Sequence, residues 1–150
     1  MEIMNKLLFI TNIFMGIVLS RFAISKLAGW EISVKAFIEM AEPLGIDPTF
    51  FRISTGLVIA AVVIGYISTA IFSLLRRISV VKFQNRFTKL ATFTNLLGLL
   101  TMTGALIAEF SLRVQPKWLL VYIAITIIIL SVLNIIMVKK QSKIISTIKK

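Results

Sequence analysis

Three charged side chains interrupt stretches of the chain that are otherwise apolar, and they are the first candidates for chemistry. They are Arg21, Lys26 and Glu109. A charge in an apolar medium usually pairs with an opposite charge or contacts a ligand, because leaving it alone costs several kcal/mol. We therefore expect Arg21 to be buried and paired, and Glu109 to neutralise Lys26 or Arg21. For Lys26 a second interpretation stays open, in which the side chain only reaches out to polar headgroups.

Composition restricts the other kinds of chemistry. The chain has no Cys and no His, which excludes thiol–disulfide exchange and removes the usual ligands of zinc, copper and haem. The sequence also contains no pair of nucleophile and base and no phosphate-binding loop. It thus predicts no catalytic residue, no metal site, no intrinsic cofactor and no independent enzymatic activity.

Long uncharged stretches determine the fold class. Residues 53–75, 90–108 and 118–138 carry no charged side chain, and 58% of the whole chain is apolar. A helix needs about 20 apolar residues to cross the hydrocarbon core of a bilayer, so each stretch is long enough, and Leu7–Leu27 is a fourth candidate. The prediction is an all-α polytopic membrane protein, a bundle of four transmembrane helices in a single domain, residues 1–150. The expected spans are about 7–29, 49–75, 90–112 and 118–138.

The basic residues indicate how these spans are oriented. The chain carries a net charge of +11, and the loop from Arg76 to Lys89 and the C-terminal tail contain basic residues but no acidic one. Because such segments stay on the cytoplasmic side, we expect both termini in the cytoplasm and the protein in a bacterial plasma (inner) membrane. The same distribution argues against nucleic-acid binding. Arg21, directly after the first apolar run, argues against a cleaved signal peptide.

The residues between the first two spans follow the period of a helix. Apolar side chains recur at Val34, Phe37, Ile38, Ala41 and Leu44, and charged ones at Glu31, Lys35, Glu39 and Glu42 on the opposite face. The pattern predicts a short amphipathic outer helix between helices one and two, at the membrane surface or over the end of the bundle. Asp47 and Pro48 then provide an N-cap and a first-turn proline for the second span.

A short repeat relates the first and third spans. The segments 6–12 (KLLFITN) and 89–95 (KLATFTN) share Lys, Leu, Thr and Asn at matching positions. The same alignment sets Lys26 against Glu109. If the two spans are neighbours, these two charged residues can meet.

The asparagines within the spans form a second group of polar candidates. The repeat sets Asn12 against Asn95, and Asn134 lies at a similar depth in the fourth span. Amides inside a membrane more often join helices than bind ligands. We therefore predict structural polar contacts among Asn12, Asn95 and Asn134, with Asn95 facing the protein interior.

Two short motifs carry a resemblance to a known family. They are RFAISKLAGW (21–30) and PLGIDP (43–48), with Phe37 between them and Gly56 and Gly65 after them. In these motifs the first half of the chain resembles the DoxX-like family of four-helix membrane proteins, and the MauE proteins of methylamine utilisation look similar over the same region. The matching positions are Arg21, Lys26, Leu27, Leu44, Gly45, Ile46 and Pro48.

The resemblance implies a four-helix fold and a link to quinone-dependent oxidoreductase complexes, from which the family takes its name. The ligand to expect is therefore a bound quinone or a lipid, held by Arg21, Lys26 and Glu109. One feature departs from the family pattern. Many members carry a glutamate at the start of the second helix, where this chain has Ser54 and Thr55. Any role of that acid is therefore missing here or has moved, with Glu109 as the candidate.

Three functions remain open at this point. The first is an accessory subunit of a membrane complex, quinone-linked if the family resemblance holds, in which Arg21, Lys26 and Glu109 bind a quinone headgroup or a partner. The second is a small transporter or lipid-handling protein. The third is a structural or immunity-type membrane partner, in which the charges only hold the bundle together. The expected partners are the lipid bilayer and either another membrane protein or further copies of the chain.

Overall fold

The fold is entirely helical in the part of the chain that the computed structural model describes, residues 2–75 and 82–148. Five α-helices follow one another in these ranges, with a 3₁₀ turn after the second and without a β-strand. The helices are α1 (Glu2–Leu27), α2 (Glu31–Ala41), α3 (Pro48–Leu75), α4 (Lys82–Ser111) and α5 (Trp118–Ile148), and the 3₁₀ turn is Glu42–Leu44.

Four of the described helices are long and apolar enough to cross a bilayer, namely α1, α3, α4 and α5. This confirms the predicted all-α class and the four spans, and it indicates a membrane protein. The helices extend beyond the apolar stretches that predicted them, because α4 already starts at Lys82 and α5 continues to Ile148. Part of the basic loop predicted at 76–89 is therefore helical, and its residues 76–81 lie outside the described ranges.

The four long helices alternate in direction. Neighbours in the bundle are α1 and α3, α3 and α4, α4 and α5, and α5 and α1, so α1 and α4 lie diagonally across the centre. The first and third spans are thus not packed as neighbours, in contrast to the arrangement that the repeat had suggested. The alternation brings both ends of the chain to one end of the bundle, which we call the terminal end. The opposite end carries α2, and we call it the α2 end.

Helix α2 forms within the amphipathic segment, and the face that it buries includes Phe37 and Ala41 of the predicted apolar face. The other buried residues are Ser33 and Met40, and the helix packs mainly on α3. Phe37 meets Phe51 edge-to-face, with ring centroids 5.0 Å apart. Ile38 remains 53% exposed, although the pattern had placed it on the apolar face. The reason is that α2 lies against the side of one helix and covers only a narrow stripe.

The turns on either side of α2 need particular residues. Gly29 and Gly45 have φ values of 69° and 63°, in the left-handed region that side chains with a Cβ rarely occupy. The Asp47 carboxylate accepts a hydrogen bond of 2.6 Å from the Phe50 amide, so the predicted N-cap of the second span is present. These turns fix where α1 ends and α3 begins.

Close helix contacts in the bundle depend on glycines that face bulky neighbours. Tyr66 of α3 is fully buried, and its hydroxyl lies 2.8 Å from the Ser131 hydroxyl of α5. A Cβ at Gly98 of α4 would stand 1.8 Å from the Tyr66 hydroxyl oxygen. Only glycine therefore leaves room for this hydrogen bond, which joins α3 to α5 next to α4.

Replacing this glycine should destabilise the bundle. In Gly98→Ala the added methyl group displaces the Tyr66 hydroxyl, and we expect the free energy of unfolding to fall by about 1–3 kcal/mol. The matched control is Gly104→Ala on the same helix, since a Cβ at Gly104 has no neighbour within 4 Å. Thermal unfolding in detergent should show a lower midpoint for Gly98→Ala and an unchanged or higher one for Gly104→Ala. Equal midpoints would contradict the packing described here.

Candidate functional site

The three asparagines meet in the middle of the bundle. All of them are fully buried. The Asn134 amide donates to the Asn95 carbonyl oxygen at 3.0 Å, and the Asn95 amide donates to the Asn12 carbonyl oxygen at 3.4 Å. The Asn12 and Asn95 amides also donate to the carbonyls one turn earlier on their own helices, those of Leu8 and Ala91. The amide layer therefore connects the diagonal pair α1 and α4 and ties both to α5.

Further polar contacts join α1 to α5, and sequence reasoning missed them. The Thr11 hydroxyl donates to the Asn134 carbonyl oxygen at 2.8 Å. At the terminal end the Gln141 amide, itself fully buried, donates to the Asn5 carbonyl oxygen at 2.7 Å. Gln141 lies beyond the apolar run of the fourth span, so its sequence context gives no sign that its side chain is buried. These contacts serve helix association, as the predicted role of the asparagines does.

A charged cluster closes the α2 end. Glu109 and Arg113 form an ion pair of 2.9 Å, with 8% and 6% of their side chains exposed. Arg113 also reaches Glu39 of α2 at 3.5 Å. The carboxylates bind backbone amides as well, since Glu109 accepts from Lys117 at 2.6 Å and Glu39 from Val114 at 3.0 Å. The cluster therefore fastens α2 to the turn between α4 and α5.

The expected pair of Lys26 and Glu109 does not form. Arg113 takes Glu109, because it follows Glu109 by four residues and lies in the turn directly after α4, which ends at Ser111. The sequence shows this spacing, although the predicted partners of Glu109 were Lys26 and Arg21. An open pocket of about 400 Å³ adjoins the cluster. It is lined by Glu39, Arg113, Val114, Gln115, Pro116 and Lys117.

Lys26 lies under α2 and contacts aromatic rings. Its ammonium nitrogen is 5.7 Å from the ring centroid of Phe22 and 5.4 Å from that of Phe37, distances at which a cation is attracted by the ring. Its backbone carbonyl accepts a hydrogen bond from the Arg52 guanidinium, which satisfies one of the free carbonyls at the end of α1. Lys26 is half-buried. It therefore sits at the base of α2, between an apolar wall and the charged cluster.

Arg21 is exposed, which corrects the prediction of a buried and paired side chain. Among the described residues, Arg21 takes part in none of the ion pairs. The reason is its position on the helix, because the bundle-facing side of α1 carries Leu19 and Ala23 and leaves Arg21 on the outside. The structure thus leaves Arg21 apart from the other two candidates, whereas Lys26 lies near Glu109 without forming an ion pair with it.

The depth of Arg21 follows from the close contacts between α1 and α3. A Cβ on Gly16 would meet Tyr66, and a Cβ on Gly56 would meet Lys26. Arg21 lies midway between Gly16 and Lys26, so it is level with position 61, midway between Gly56 and Tyr66. That position is the middle of α3, whereas on α1 itself Arg21 lies six residues before the end of the helix at Leu27, about 9 Å of helical rise. An exposed guanidinium therefore stands within the first span, nearer to its α2 end.

Searches of family models, of curated proteins and of solved structures find no match to this chain. The chemistry of the candidate residues is therefore argued from their own geometry.

The charged cluster should be sensitive to the loss of one partner. In Arg113→Met the Glu109 carboxylate stays buried without its cation, and we expect the free energy of unfolding to fall by about 3–5 kcal/mol. The exposed pair Glu31–Lys35, with 81% and 74% of the side chains exposed, supplies the control. Glu31→Gln should change stability by about 0.5 kcal/mol or less.

The double variant Glu109→Gln/Arg113→Met distinguishes a paired charge from a mere packing defect. It removes both charges, and we expect it to regain most of the stability lost in Arg113→Met. Thermal unfolding followed by circular dichroism measures all four proteins. If Arg113→Met and Glu31→Gln unfold at the same midpoint temperature, the cluster does not hold α2 in place.

Proposed function

We propose that this protein is an accessory subunit of a membrane complex, and that it acts by binding another membrane protein. The observation that carries the proposal is the exposed Arg21 within the first span, six residues before the end of α1. A charge in the hydrocarbon core is costly unless it is paired, hydrated or turned to the protein interior. In the isolated chain Arg21 faces outward, so its stabilising contact has to come from outside the chain.

The rest of the bundle favours a binding role over a transport role. Along the bundle axis the side chains of Met15, Val62, Tyr66 and Ile127 are 0–1% exposed. The buried amides between the helices bond to one another, as expected of groups that join helices. These observations give the transporter or lipid-handling alternative no support. A structural or immunity-type partner remains compatible with them, because it too acts by binding.

The orientation in the membrane belongs to the same proposal. Basic residues that are exposed at the terminal end include Arg86, Lys89, Lys139 and Lys140. Since basic residues flank spans on the cytoplasmic side, the terminal end faces the cytoplasm and α2 lies at the outer surface. The host membrane is a bacterial plasma membrane in this proposal. The resemblance of residues 21–48 to DoxX-like proteins, which rests on sequence motifs alone, agrees with a subunit of an oxidoreductase complex.

One observation favours a quinone as a ligand of that complex. The Lys26 ammonium lies beside two aromatic rings at the base of α2. Within the described residues it has no carboxylate at ion-pair distance. A cationic donor next to flat rings can bond a quinone carbonyl while the rings stack on the headgroup. We propose Lys26, and not Arg21 or Glu109, as the residue that would contact it.

Native mass spectrometry after gentle extraction from the protein's own membrane tests the proposal. We expect the wild-type chain to co-purify with a second membrane protein and Arg21→Gln to lose it, because the variant removes the charge without changing the bundle. Lys35→Gln, an exposed charge on α2, is the control and should retain the partner. A wild-type chain that appears alone or as a homo-oligomer, carrying only bulk lipid, would contradict an accessory role.

The same spectra report on the quinone. A bound quinone should be retained in Arg21→Gln and lost in Lys26→Gln, since only Lys26 stands beside the aromatic rings. Unchanged quinone in Lys26→Gln would refute the proposed contact and leave the subunit role untouched.

A further inference from the structure

Helix α1 turns a continuous apolar stripe away from its own bundle, and Arg21 lies within it. The exposed residues of this stripe are Ile3, Leu7, Ile10, Phe14, Ile17, Arg21, Ile24 and Ala28. Their spacing alternates between three and four residues over the whole helix. This is the heptad spacing by which two helices pack side chains against each other at a small crossing angle. We call these residues the α1 stripe.

The charge at Arg21 argues against a second copy of the chain as the occupant of the stripe. Copies inserted in the same direction and related by a two-fold axis would place the two Arg21 side chains at the same depth. Across an α1–α1 interface these like charges would meet in a medium of low dielectric constant, where their repulsion is strong. The stripe therefore does not suit a symmetric dimer.

The acidic residues of the chain do not supply the partner charge either. Glu109 is the one acid within the four spans, and its carboxylate is held by Arg113 and the Lys117 amide. The Asn12–Asn95 contact sets Glu109 level with Lys26, five residues or about 7 Å nearer to the α2 end than Arg21. In a second copy of the same orientation, Glu109 would thus be at a different depth from Arg21 and already paired. The countercharge has to come from a different protein.

We infer that the α1 stripe docks a transmembrane helix of another protein that carries an aspartate or glutamate within its span, at the depth of Arg21. A guanidinium binds a carboxylate through two parallel hydrogen bonds, and in the membrane this pair replaces two separate and costly charges. The apolar positions on either side of Arg21, among them Ile17 and Ile24, pack against the same helix. This inference rests on the proposed subunit role and adds the chemistry of the partner.

Photocrosslinking in native membranes tests the inference. A photoreactive amino acid is placed at Ile17 and, in a second variant, at Ile24, while a third carries it at Ile64 of α3. Ile64 is 66% exposed and lies close to the depth of Ile17, so it is a matched control on another face. We expect adducts with one protein from both stripe positions and not from Ile64. Mass spectrometry of the adduct should map the crosslinked segment to a span with an Asp or Glu.

The Arg21 variants then decide whether charge holds the partner. We expect the adduct to fall about tenfold or more in Arg21→Gln, and to persist in Arg21→Lys, because a buried ion pair that loses one member weakens binding strongly. When this protein carries Arg21→Glu, replacing the partner's aspartate or glutamate with lysine should restore the adduct, because the two charges are then exchanged. Since Arg21 is exposed in the free bundle, the variants should express and insert like the wild type.

Two results would overturn the inference in different ways. The acidic helix is refuted if the crosslinked span lacks an Asp or Glu, or if the yield of the adduct is unchanged in Arg21→Gln. Either result is compatible with the proposed subunit role. Adducts with lipid alone or with a second copy of the chain refute the acidic helix and the accessory role together.

Discussion

A charge within the hydrocarbon core must be paired, hydrated or covered, and this constraint sorts the charged residues of the protein into three environments. Glu109 and Arg113 satisfy it within the chain, by an ion pair that also fastens α2 through Glu39. Lys26 satisfies this constraint in part through cation–π contacts with two phenylalanine rings. Arg21 has no such solution in the described bundle, because its side chain is exposed within the span, six residues before the end of α1. The proposed function follows from that difference.

The bundle around these charges is held by polar contacts at several depths. Gln141 and Asn5 join α5 to α1 near the terminal end, the amide layer crosses the centre, and Tyr66 bonds Ser131 farther along the axis. Each bond in a membrane contributes only about 0.6–2 kcal/mol, so their value lies in fixing which helix faces meet. That fixed arrangement leaves Arg21 on the outside of α1, and a partner would meet a surface that is already formed.

The sequence predicted the four spans and the helix between the first two because apolar length and helical period are local properties of the chain. It also singled out Asn12, Asn95 and Asn134, which the structure brings together. The predictions of a buried Arg21 and of an ion pair between Lys26 and Glu109 were wrong, because burial and pairing depend on which helices are neighbours and how each is rotated about its axis. A composition-based argument treats every charge in a span as buried, whereas the rotation of α1 leaves Arg21 exposed. Arg113 was within reach of sequence reasoning through its four-residue distance from Glu109.

The central claim is that the surface around Arg21 lies in hydrocarbon, and a depth measurement tests it most directly. Because the chain has no cysteine, Ile17→Cys and Ile24→Cys each give a single site for a nitroxide label one turn from Arg21. Electron paramagnetic resonance of the purified protein, reconstituted in phosphatidylcholine vesicles, compares collisions with oxygen and with a water-soluble nickel chelate. We expect frequent oxygen collisions and few nickel collisions at both positions. Frequent nickel collisions at either one would show water at this depth, and Arg21 would then need no partner.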